Sequence, residues 1–239
     1  GMGGCTLSHT MCMPPEGGYS IAAEKGEELV GRIARALYDE RKLIGGAALI
    51  LIAGMLIGYF NAEEIDQAFR QSGMYGALEQ MVRRIHANPD FLTAFGLIFF
   101  NNVRAAVTTI GLGIFLGVYP VLMLMANGMM LGVILHQSAV EAGVHPLVLF
   151  VTKVLPHGIL ELPAIIIAAA YGMRLGITFV RWLLSWFVPG GRAAGTREWR
   201  RLFDRIPAAA ALVMVLLLAA AAIEAGLIIA FGSRGGVIG

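Results

Sequence analysis

The chain has 239 residues, 57% of them apolar and 14% charged, against about 45–50% and 25% in a typical soluble domain. Mean hydropathy is +0.73, and the apolar residues fall in long runs, which excludes soluble enzyme folds and disulfide scaffolds. A formal net charge of +2 is too small to indicate a nucleic-acid partner.

Residues 1–22 read as a flexible, Gly- and Pro-containing tail, and 23–239 as a single membrane domain. Gly1, ahead of Met2, reads as a tag remnant. Cys5, His9 and Cys12 have a C-x₃-H-x₂-C spacing that could hold a metal, but a tail of this composition needs no such role. Leu29, Ile33 and Leu37 fall on one helical stripe, so residues 24–42 are expected to lie as a helix on the membrane surface.

A helix needs roughly 20 mostly apolar residues to cross the hydrocarbon core. Five stretches qualify: 43–60, 91–118, 121–140, 146–173 and 207–231. The first begins more than 40 residues in, too late for a cleavable signal peptide. Period-2 alternation is absent, so a barrel is excluded and the fold class is an all-α polytopic membrane protein. Between spans one and two, Ile65, Phe69, Leu78, Val82 and Ile85 predict one or two amphipathic helices over 63–88. Between spans four and five, Phe179, Trp182, Trp186 and Phe187 read as an interfacial aromatic belt before the Pro189-Gly190-Gly191 turn.

Twelve of the eighteen Lys and Arg residues precede span one or lie between spans four and five. The opposite side has four: Arg70, Arg83, Arg84 and Arg234. The bias predicts a cytoplasmic N-terminus and an external C-terminus in the cytoplasmic membrane. Four Gly-x₃-Gly pairs, Gly54/Gly58, Gly113/Gly117, Gly128/Gly132 and Gly172/Gly176, predict close backbone approach within one chain, across a homodimer, or both.

Polar groups inside the spans are the candidate site: Asn101, Asn102, Arg104, Asn127, His136, Lys153, His157, Glu161 and Glu224. Such groups are costly in lipid and are expected to face the bundle interior. Pro156, Gly158 and Pro163 are expected to interrupt span four around His157 and Glu161, which share a face at i, i+4. Three roles remain open. Arg104, which counting along span two puts at a depth similar to Glu161, or Lys153 could neutralise Glu161 and Glu224 in a structural network. His157, Glu161 and Glu224, with His136 as an alternative ligand, could hold a divalent metal such as zinc. The broken span could also carry a solute or ion.

Phe99-Phe100-Asn101-Asn102 with Arg104, Asn127-Gly128 followed by Gly132, Pro156-His157-Gly158-Ile159-Leu160-Glu161-Leu162-Pro163-Ala164, and Ile223-Glu224-Ala225 together resemble the stage II sporulation protein M family over roughly residues 30–232. The resemblance implies a five-span protein of the cytoplasmic membrane. In spore formers the family member works with partner proteins that remodel peptidoglycan during engulfment, while most relatives occur in organisms that do not sporulate. The expected function is a non-enzymatic scaffold for envelope-remodelling membrane proteins. The alternatives are an intramembrane metal-dependent hydrolase or lipid-modifying enzyme, and a small-solute or ion transporter.

Overall fold

The computed structural model describes residues 17–150, 155–187 and 191–232, and their side chains except at 17–25, 77, 78, 147, 155–157, 231 and 232. Cys5, His9, Cys12 and Lys153 lie outside the described residues, as does the His157 side chain. The described residues form α1 (Gly17–Asp39), α2 (Arg41–Phe60), α3 (Ala62–Gln71), α4 (Gly76–Ala87), α5 (Phe91–Leu112), α6 (Val118–Ala142), α7 (Pro146–Leu149), α8 (Leu155–Leu184) and α9 (Gly191–Gly232). Five of them, α2, α5, α6, α8 and α9, are long and apolar enough to cross a membrane. With five crossings, α1, the α5–α6 turn and the α8–α9 junction share one end of the bundle. The other end carries α3, α4 and α7.

Span boundaries differ from the hydropathy reading where the backbone turns inside an apolar run. The second span stops at Leu112 rather than Val118, because Leu116 (φ 58°) and Gly117 (φ 71°) adopt left-handed conformations that end a helix. The described residues of the fourth apolar run belong to α7 and α8, and α8 continues to Leu184. The helix also runs through Pro163, whose ring is exposed; the expected interruption at Pro163 does not occur.

All four small-residue pairs are used within the chain, two against two. Gly54 and Gly58 of α2 pack on Gly128 and Gly132 of α6: a Cβ at Gly54 would lie 2.6 Å from the Met125 carbonyl oxygen, and one at Gly132 would strike the Met55 carbonyl. Gly113 and Gly117, which bound the turn between α5 and α6, pack on Gly172 and Gly176 of α8. A Cβ at Gly172 would lie 2.6 Å from the Thr109 carbonyl oxygen, and one at Gly176 2.5 Å from that of Gly113. Numbers rise together along each pair, so the paired helices run parallel. Such contacts replace the hydrophobic driving force that lipid does not supply.

Helix α8 is central. Of its apolar stretch 61% is buried, against 11% for α5. Its small face (Ala164, Ala168, Ala169 and Ala170 are almost fully buried) joins two clusters. One unites α8 with α1, α5 and α9 through Ala36, Ala106, Tyr171 and Leu217; the other unites it with α2 and α6 through Leu51 and Leu124. The surface helices largely follow their predicted stripes. Ile33 and Leu37 of α1 pack on the first cluster, whereas Leu29 of α1 and Val82 of α4 are exposed. Phe69 of α3 and Ile85 of α4 are buried, the latter with Ile98 of α5 and Ala221 and Ala225 of α9. Trp182 at the end of α8 stacks on Trp199 of α9, centroids 6.4 Å apart, which ties the aromatic belt to the last helix.

Candidate functional site

At the α1 end the chain passes from α1 to α2 through Glu40, only 3% exposed. A buried carboxylate needs cations and donors around it. Arg174 of α8 lies 3.3 Å from Glu40 Oε1 and Arg205 of α9 lies 3.5 Å from it. Arg205 also pairs with Asp39 at 2.7 Å, and Arg174 and Arg181 share Glu198 at 3.5 and 2.9 Å. Three carboxylates thus meet three arginines, locking α1, α8 and α9 together. Sequence reasoning treated these arginines only as topology signals and missed Glu40. The available signal was an Asp39-Glu40 pair two residues before an apolar run, on the side that also collects the α8–α9 cations.

At the other end, Asp66 of α3 accepts hydrogen bonds from Arg70 Nε at 2.8 Å and Tyr75 Oη at 3.0 Å. The Arg70 hydrogen bond leads in holding the Asp66 carboxyl below its usual range, against desolvation and with help from Tyr75 and Gln137. Burial first, and then the bond to Asp66, pushes the Tyr75 hydroxyl up to about 12. Both groups lie outside the spans.

Among the described residues, the predicted intramembrane side chains have separate surroundings, apart from two glutamates. The Asn127 amide donates to the carbonyl of Met123 on its own helix at 2.8 Å. His136 packs edge-on to Tyr59 of α2 with centroids 5.2 Å apart, and its buried Nδ1 has no hydrogen-bond partner. Glu161 of α8 and Glu224 of α9 are brought within electrostatic reach of each other. Among the described residues no three His, Cys, Asp or Glu side chains converge, so His136 does not join the two glutamates.

Arg104 is the main departure. The contact of Gly113 with Gly172 sets the register of α5 against α8. Asn102 and Glu161 each precede their glycine by 11 residues, about 16 Å at 1.5 Å per residue. Arg104 is therefore close to the depth of Glu161, as expected, but their pairing is not found. Arg104 and Asn101 are exposed, while Asn102 is half-buried. Among the described residues Arg104 makes no ion pair or hydrogen bond. The buried residues Ala94, Ile98, Ala106 and Thr109 define the packed face of α5, and helical periodicity puts Arg104 on the far side. A cation there costs at least about 2.5–3.5 kcal/mol in bilayer.

Residues 47–227 match the sequence profile described as Stage II sporulation protein M. The chain belongs to the stage II sporulation protein M family. Within this family member, the block from Pro156 to Ala164 lies in α8, and Asn127-Gly128 places its glycine in the α2–α6 seam. Asn101 and Arg104 are exposed, and Glu224 lies within electrostatic reach of Glu161. The chain is also similar to an uncharacterised protein of Methanocaldococcus jannaschii, 28% identical over 102 residues, which make up 43% of this chain and 42% of that one. The matched region thus spans less than half of that relative. No solved structure matches the chain.

Proposed function

We propose that this stage II sporulation protein M family member is a non-enzymatic scaffold of the cytoplasmic membrane, with its N-terminus inside, that organises envelope-remodelling membrane proteins. One observation carries the reading. Four spans are fastened in pairs by intrachain glycine seams and α9 packs on α5 and α8 through its apolar side chains, yet α5 leaves a polar, charged face uncovered at membrane depth. A rigid unit with such a face is suited to holding a neighbour. The family supports the envelope context. The sequence motifs also pointed to a homodimer; all four are engaged within the chain, so self-association would use another surface.

The test is deletion in the native organism together with affinity purification from its membranes. Altered envelope morphology and recovery of cell-wall enzymes or their membrane neighbours is the expected result. Unchanged morphology with no such protein recovered would overturn the reading.

A second reading is favoured by the approach of Glu161 to Glu224. Two carboxylates within electrostatic reach of each other, with His157 four residues before Glu161 in sequence, would supply ligands for a divalent cation serving an intramembrane enzyme or an ion carrier. Elemental analysis of protein purified without chelator decides it: near-stoichiometric zinc, lost in Glu161→Gln, supports this reading, and metal-free protein removes it.

A further inference from the structure

Helix α5 has the lowest mean hydropathy of the five spans, 1.3, and the smallest buried share. Its uncovered face has an ordered composition. Phe100, Arg104, Val107 and Gly111 recur at spacings of four, three and four, so they form one stripe, and all four are exposed. Asn101 flanks it. A Cβ at Gly111 would meet nothing within 4 Å, whereas the seam glycines are crowded by a neighbouring backbone. The stripe thus offers an aromatic ridge, a cation, a branched apolar residue and an open small-residue site.

Arg104 lies 13 residues from Phe91 and 8 from Leu112, so its backbone sits about 12 Å from the nearer helix end. Side chains tilt toward the helix N-terminus, here the farther end, which works against reaching the nearer headgroups. The charge is met most readily by a group at its own depth.

A second copy of this chain is a poor source of that group. Two copies in one membrane share an orientation, and a twofold axis along the membrane normal would set α5 beside α5 with Arg104 facing Arg104. Charge complementarity favours a different chain. Resting on the scaffold reading, we propose that the Phe100–Arg104–Val107–Gly111 stripe docks a transmembrane helix of another protein, one carrying an aspartate or glutamate at the depth of Arg104. Asn101 would add a hydrogen bond beside the ion pair, and Gly111 would admit a bulky side chain of the partner helix.

The test uses the full chain in phosphatidylcholine bilayers with a designed Leu/Ala transmembrane peptide bearing one Glu, Gln or Lys at the matched depth. Association is read by energy transfer between labelled protein and labelled peptide at pH 7.5. The Glu peptide should associate about tenfold more tightly than the Gln peptide, and Arg104→Gln should remove the difference. Arg104→Glu should transfer the preference to the Lys peptide. Equal binding of Glu and Gln peptides, or a preference that survives Arg104→Gln, would overturn the proposal. So would energy transfer between two labelled copies that is lost in Phe100→Ala, which would assign the stripe to self-association. Abolition of the Glu preference by added phosphatidylglycerol would assign it to an anionic lipid and overturn it too. Peptide pairing without an envelope phenotype would remove the scaffold reading alone.

Discussion

Tyr171, in the middle of the central helix, donates its hydroxyl to the carbonyl of Ala36, 3.1 Å away and 135 residues earlier in the chain. The carbonyls in the last turn of a helix lack partners within it, and α1 ends three residues later at Asp39. Arg41 treats the carbonyl of Tyr38 in the same way at 2.9 Å. The break between α1 and α2 is thus held by side chains, with Glu40 and its arginines directly beneath.

Replacing Glu40 with Ala should therefore be among the most destabilising changes at this end. It leaves Arg174 and Arg205 without their shared partner; each keeps a second carboxylate, Glu198 and Asp39, so the cost falls below the roughly 3–5 kcal/mol of a buried pair broken to leave a bare charge. Thermal unfolding in detergent should show a large fall for Glu40→Ala. The double variant with Arg174→Met should lose less than the sum of the singles. Strict additivity would mean that the network contributes no coupling.

Glycines in the seams and glycines outside them should respond oppositely. Gly132→Ala forces a methyl into the backbone of α2 and should cost about 1–3 kcal/mol through overpacking. Gly96→Ala meets nothing within 4 Å and should be neutral or slightly stabilising, because alanine is the better helix former. Melting temperatures of the two variants check this directly.

The Asp66–Tyr75 contact predicts two pH windows for the α3–α4 cap. Asp66 has a folded pKa below its ordinary value, so its contribution is present above the ordinary carboxylate range and is lost as pH falls through the lowered value. Tyr75 has a folded pKa raised to about 12 from 10.0, so its contribution is complete below pH 10 and is lost as pH rises toward 12. The stability advantage of wild type over Tyr75→Phe should shrink above pH 10, and that over Asp66→Asn should shrink in acid. Thermal melts across both ranges provide the measurement.

Arg104 and Glu161 should be energetically independent in the isolated chain. In detergent, Arg104→Gln and Glu161→Gln should combine additively within about 0.5 kcal/mol, since no contact joins the two. A coupling energy well beyond that would restore the ion pair that their similar depth first suggested.

Thr178 is 1% exposed, and its hydroxyl has no hydrogen-bond partner. Replacement by the near-isosteric valine removes a buried unsatisfied group, so Thr178→Val should be neutral or stabilising. A clear fall in melting temperature would reveal a hydrogen bond at that hydroxyl.

Hydropathy and helical period by themselves determined the fold class, five spans and the surface helices, because a bilayer allows only long apolar helices whose backbone satisfies itself. The glycine spacing likewise announced close helix contacts. Tertiary structure alone decided what those features meet. Gly54 faces Gly128 and Gly113 faces Gly172, a pairing no spacing rule specifies, since any two smooth grooves can fit. Left-handed backbone at Leu116 and Gly117 ended α5 inside an apolar run that composition could not divide. Depth could be counted along each helix, so Arg104 and Glu161 were placed nearly level. Azimuth about the helix axis depends on which neighbours pack where, and packing turned Arg104 outward while bringing Glu161 to Glu224. Charge buried at Glu40 was hidden for the same reason: its arginines lie more than 130 residues away and reach it only after α8 and α9 have folded against α1.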